Sequence, residues 1–166
     1  MRWHLAQVNV GRLRAAVDDP LIADFVAGLD RINALADVAP GFVWRLQTEA
    51  GNATAVRPID DDELLAINMS VWESVEALAA YVYRSDHAAF MRRRREWFER
   101  MDQAYLALWW IPVGHRPTTT EAIAKLELLR AKGPTVDAFT FRKAFPPPDA
   151  IRTERTIDFG DECPTT

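Results

Sequence analysis

Asn68, Ser70 and Trp72 alternate along one side of the stretch AINMSVWES, residues 66–74, while Ile67, Met69 and Val71 take the other side. An amide, a hydroxyl and an indole on one strand face either line a ligand pocket or tie down a seam. The stretch HLAQVNV repeats the pattern, with Leu5, Gln7 and Asn9 on one side and Ala6, Val8 and Val10 on the other. Gln7 and Asn9 are thus expected beside Asn68 and Ser70 on an adjacent strand. His87 heads a helical segment, where the positive end of the helix dipole keeps an imidazole neutral. Near a cavity it would serve as a general base or a metal ligand; otherwise it is a cap. Arg94 falls on the apolar stripe of Phe90 and Trp97, as an anion clamp or a snorkelling side chain. Trp44, Trp109 and Trp110 are expected to build core and cavity walls, and aromatic walls suit planar ligands.

Other chemistries lack their residues. The three histidines, His4, His87 and His115, have no metal-ligand spacing, and neither HExxH nor CxxC occurs, so no metal site is expected. Ser85, Asp86 and His87 are adjacent in sequence and point apart on a helix. GxSxG, P-loop and GxGxxG patterns are absent. The run RRRREWFER offers Arg92 with Glu96 and Arg95 with Glu99 as i,i+4 pairs, which reads as a solvated helix face. Net charge is −4 and 27% of residues are charged, which argues against nucleic acid as a partner. The one cysteine, Cys163, allows no internal disulfide. No long apolar run or signal-like start occurs, so a cytoplasmic protein without membrane contact is expected.

The elements that position these groups follow from periodicity. Residues 3–10, 42–47, 64–72 and 105–114 read as strands. Asp18 or Asp19 followed by Pro20 opens a helix whose stripe runs from Leu21 to Ala36. Ser74 caps a second helix, which breaks near Ser85 and resumes to Met101. The order is β-α-β-β-α-β, the ferredoxin-like arrangement, with a short hairpin extension expected in the loop after residue 47. Thr118 and Glu121 have capping-box spacing ahead of a C-terminal helix that Gly133-Pro134 stops. FTFRKAF reads as a short fifth strand with Phe139, Phe141 and Phe145 on one face, and the remainder as an extended tail.

In this topology both helices lie on one face of the sheet, and the apolar side Ala6, Val8, Val10, Ile67, Met69 and Val71 is expected beneath them. The side bearing Gln7, Asn9, Asn68, Ser70 and Trp72 would then need a second sheet, supplied by an identical subunit, with a partly polar cavity between.

The motifs HLAQVNV, NMSVWESVEAL, YRSDHAAFMRRRREWFERM and LWWIPVGHRPT resemble those of a bacterial family known as domain of unknown function 3291. Through it the chain is similar to the antibiotic-biosynthesis monooxygenase-like, dimeric α/β-barrel superfamily. The resemblance runs to about Phe145 and implies a barrel, and the element order places an α+β barrel domain over residues 1–116. Residues 117–166 then add a helix, a short strand and a tail packed on the same domain. It implies a homodimer with a small-molecule pocket between sheet and helices. In the similar cofactor-free oxygenases an Asn and a Trp orient a phenolic substrate and stabilise its anion, roles that Asn68 and Trp72 fit by type. The expected function is cofactor-independent monooxygenase-like or isomerase-like chemistry on a planar substrate. Asn68, Trp72 and His87 would be catalytic, and Gln7, Asn9, Trp44, Ser70, Arg94, Trp97 and Trp110 would bind substrate. The alternatives are a non-catalytic ligand-binding or dimerisation module, and a haem protein using His87 as axial ligand.

Overall fold

The computed structural model describes residues 2–48 and 62–150 of the chain. Strands β1 (Trp3–Arg12), β2 (Phe42–Arg45), β3 (Leu65–Trp72) and β4 (Leu106–Pro112) form one sheet in the order β2-β3-β1-β4, with every neighbouring pair antiparallel. With helices α1 (Ala23–Asp37) and α2 (Val75–Arg84) in the crossovers, this is the ferredoxin-like β-α-β-β-α-β arrangement. The short helices α3 (Asp86–Arg92) and α4 (Arg94–Trp97) extend the second crossover, and α5 (Thr119–Lys132) follows the sheet.

Local chemistry sets the boundaries. Asp19 accepts from the Leu21 N–H at 2.8 Å and Pro20 opens the 3-10 turn that leads into α1. The Ser74 hydroxyl caps α2 through the Ala77 N–H, and Thr118 caps α5 through the Glu121 N–H. Ser85 ends α2 in an extended conformation and caps α3, so the expected break is one residue doing both jobs. The second helical segment stops at Trp97 rather than Met101. Phe98 turns extended and bridges Leu13, and the Glu99 N–H donates to the Arg12 carbonyl at 2.8 Å. The i,i+4 pairs of the arginine run are therefore replaced. Arg93 instead holds Glu96 at 2.8 Å and Asp24 of α1 at 2.7 Å.

The layering corrects the sequence reading. The clean apolar face (Ala6, Val8, Val10, Ile67, Met69, Val71, with Ala107, Trp109 and Ile111) lies under α5, through Ala122, Leu126 and Leu129. Helices α1 and α2 cover the other face, where Leu5, Trp72 and Leu108 meet Ala36, Val75, Leu78 and Ala79. Both faces are thus covered within one chain, and the ground for expecting a partner's sheet is removed. The assignment inverts because Gln7, Ser70 and Trp72, the buried polar groups of that face, bond to one another, while Asn68 stays exposed, so the face tolerates helices over it.

The expected fifth strand is a single bridge. Phe139 and Leu108 exchange N–H···O bonds of 2.8 Å, after which the Lys143 N–H donates to the Thr140 hydroxyl at 3.2 Å and the chain turns. Phe139, Phe141 and Phe145 all join the cluster around Trp72. The expected hairpin extension falls mainly at residues 49–61 and the end of the tail at 151–166, outside the described residues.

Candidate functional site

On the face beneath α1 and α2, cross-strand register stacks β1 and β3 in rungs: Leu5 with Trp72, Gln7 with Ser70, Asn9 with Asn68, Gly11 with Ala66. The outer rungs belong to separate apolar clusters. Leu5 and Trp72 sit with α2. Ala66 packs with Phe25, Phe90, Trp97 and Phe98 around Leu13 and Ile22. The two middle rungs form a polar band between them.

That band is wired together. Gln7 Nε2 donates to Asn68 Oδ1 at 2.6 Å and to Ser70 Oγ at 3.1 Å, and Trp72 Nε1 donates to the same hydroxyl at 2.8 Å. Gln7 and Ser70 are only 4% and 7% exposed, and Trp72 is fully buried, so these three act as satisfied core. Asn68 differs: it lies on an interior strand beneath the helices, yet it is exposed. Gln7 occupies its carbonyl oxygen and orients the carboxamide, leaving the NH₂ group without a partner among the described residues. Asn9, its cross-strand neighbour, is half-buried.

Aromatic groups flank the band on both sides. Trp72 stacks on Tyr81 with ring centroids 5.1 Å apart, and Tyr81 meets His87 at 4.9 Å. Tyr81 donates its hydroxyl to the Ile32 carbonyl at 3.0 Å, and burial raises its pKa, so it stays a phenol. Burial lowers the pKa of His87, opposed by the Val82 carbonyl, which faces Nδ1 at 3.4 Å. An Nδ1–H tautomer donates to that carbonyl and leaves the lone pair on Nε2. On the other side Phe25 meets Phe90, Trp97 and Phe98 at 6.0, 5.6 and 5.1 Å. Gly28 of α1 lets the Phe90 ring approach so closely that a Cβ there would overlap it. Arg94 lays its guanidinium over Tyr105 at 4.3 Å and Phe98 at 5.4 Å, with no carboxylate partner among the described residues.

The expected site residues therefore divide. Gln7, Asn9, Asn68, Ser70 and Trp72 come together. His87 reaches them only through Tyr81, and Arg94 through Phe98, which packs over Gly11. Trp97 is buried core. Trp44 pairs with Val71 and packs on the α5 face, so it leaves the group. Its position follows the bulge between Phe42 and Trp44, which breaks simple alternation along β2.

Trp110 belongs elsewhere. It lines a cavity of about 530 Å³ with Trp3, Val75, Phe145, Pro146 and Pro147, and its Nε1–H donates to the Phe145 carbonyl at 2.8 Å. Sequence reasoning missed this cavity and Tyr81. The alternation that sets Gln7 and Leu5 on one face also places Trp3 there, but the chain that closes over it arrives from residue 144 onward. His115, which follows β4, holds Glu121 at 2.7 Å, and Trp109 Nε1 donates to the same carboxylate at 3.0 Å. Among the described residues no cluster of His, Cys, Asp or Glu is placed to hold a metal, and no helix is long and apolar enough to cross a membrane.

Several solved structures are similar to this chain. A putative antibiotic biosynthesis monooxygenase from Chloroflexus aurantiacus is 18% identical with a TM-score of 0.43, covering 69% of this chain and 97% of its own. SnoaB, a cofactor-independent oxygenase from Streptomyces nogalater, is 17% identical with a TM-score of 0.43 over 71% and 98%. The ActVA-Orf6 monooxygenase of Streptomyces coelicolor, solved with nanaomycin D, is 13% identical with a TM-score of 0.40 over 70% and 92%. No curated protein matches the chain. The model of the family described as Domain of unknown function (DUF3291) matches residues 4–155, nearly the whole chain, and the protein belongs to that family.

Proposed function

We propose that the protein binds a planar, oxygen-bearing small molecule on the polar band at Asn68 and carries out cofactor-independent, monooxygenase-like chemistry there. The observation that carries this reading is Asn68 itself. An exposed carboxamide on an interior strand, held by Gln7 at 2.6 Å between two aromatic clusters, is a preset donor for an anionic oxygen. The floor and walls come from one chain, so no partner is needed to complete them.

The chemistry asks little of the protein. A CH₂ or phenol position flanked by aromatic rings, once deprotonated, takes one oxygen atom of O₂ to become a carbonyl and releases the other as water. The substrate supplies all the electrons. Gln7, Asn9, Ser70 and Asn68, which form the band, do not titrate near neutral pH, so the substrate must itself be acidic and the amide donor stabilises its anion. His87, kept neutral by burial, shapes the Tyr81–Trp72 wall in this reading rather than taking the proton.

The absence of a titrating group from that band also supports the second reading, a binding module without turnover. Oxygen uptake with a panel of polycyclic phenols separates the two. Uptake that falls at least tenfold in Asn68→Ala supports the oxygenase; binding without uptake supports the module; neither binding nor uptake removes both. A haem on His87 would take Nε2, which the Nδ1–H bond to Val82 leaves open. The ring packs on Tyr81, however, and the cavity of about 530 Å³ is lined by other residues, so neither observation favours it.

A further inference from the structure

The cavity between the start of α2 and residues 144–150 has no part in the reading above, and we propose that it binds a small organic cation, a quaternary or aryl ammonium. Its volume of about 530 Å³ lies within the range of small-molecule sites, roughly 300–1,000 Å³, and its walls are mainly apolar.

Aromatic surface and charge together select the ligand class. Trp3, Trp110 and Phe145 supply three rings. Trp110 is held by its bond to the Phe145 carbonyl, so the indole is positioned before anything binds. Ring faces attract cations, indole most strongly. The charged groups of the lining are Arg2 against Glu73, Glu76 and Asp149. Arg2 and Asp149 pair at 3.8 Å, which leaves Glu73 and Glu76 without an ion-pair partner among the described residues. An anion would meet uncompensated carboxylates, and a neutral hydrocarbon would leave them unused.

The N-terminus of α2 does not reverse this preference. Ser74 caps it and Glu76 in its first turn offsets its dipole, which leaves Glu73 as the carboxylate of the lining without a counter-charge among the described residues. The wall also carries the one buried side-chain donor without a partner among the described residues, Trp3 Nε1. A quaternary ammonium has no lone pair to offer it, so this donor takes no part in the preference, which rests on the rings and the carboxylates.

The test compares phenyltrimethylammonium with its neutral isostere tert-butylbenzene on the full chain, by indole fluorescence and calorimetry. The cation is expected to bind at least tenfold more tightly. Trp3→Leu should weaken it at least tenfold. The surface pair Glu73→Gln with Glu76→Gln, which leaves the core untouched, should weaken it several-fold and flatten its salt dependence. Equal affinity for the neutral isostere, or no response to the double glutamine variant, overturns the proposal. So does binding that appears only after residues 151–166 are removed, which assigns the cavity to the chain's own end.

Discussion

Asn68 and Trp72 share a strand face four residues apart, yet their substitution should have opposite consequences. Asn68→Ala removes one acceptor from Gln7, which keeps Ser70 at 3.1 Å, and the side chain is exposed. Stability should fall by less than about 1 kcal/mol, a Tm change of about 2–4 °C at most. Trp72 has no solvent exposure, stacks on Tyr81 at 5.1 Å, meets Phe42 edge-on at 5.4 Å and satisfies Ser70. Trp72→Phe should therefore lose about 2–3 kcal/mol, or about 5–10 °C, from the cavity left and the weakened hydroxyl. Thermal melts of the two variants check this, and similar Tm values would remove the distinction between open floor and packed wall. The shared face was legible because alternation is local. The burial of Trp72 was not, because Tyr81 reaches it from another element. A period of two says which residues are neighbours on a face and nothing about what lands on them.

Helix α5 shows the same division between local and distant information. Its cap and its stop at Gly133 were both readable from nearby residues. The clamp at its start was not. Glu121 accepts from His115 and Trp109, tying the first turn to the loop after β4 and to the sheet. Burial, the largest single influence, pushes the Glu121 pKa up. The bonds from His115 and Trp109, with the nearby His115 and Lys125 charges, together outweigh it and leave the pKa lowered. A lowered carboxylate pKa contributes stability that is complete above the unfolded value, near 4.5, and lost as pH falls through the folded value. Wild type should therefore melt above Glu121→Gln at neutral pH, with the gap closing as pH drops below the unfolded value of 4.5. A gap that persists unchanged to pH 3 would show that the carboxylate's charge contributes nothing to the clamp.

At the scale of the molecule, the sheet has to be covered on both sides, and strand sequences alone do not say by what. Ala6, Val8, Val10, Ile67, Met69 and Val71 read as the natural seat for the crossover helices, because their side is the more uniformly apolar. The chain instead gives that side to α5 and places the crossover helices over the polar band, where Gln7 bonds to Asn68 and Ser70. This makes α5 the second layer of the core rather than an appendix. It also sets the expected effect of disturbing it. Leu126 is 1% exposed against that face, so Leu126→Asp would bury a carboxylate among apolar groups with no cation supplied to pair it. The loss should exceed about 3 kcal/mol, roughly 10 °C in Tm, with exposed apolar surface detected by dye binding. Light scattering on the same samples tests assembly. If the sheet face is closed by α5, wild type keeps its mass when Leu126→Asp begins to associate. If wild type already pairs through that face, the variant should instead fall to a smaller species, and the reading of α5 as the cover of that face fails.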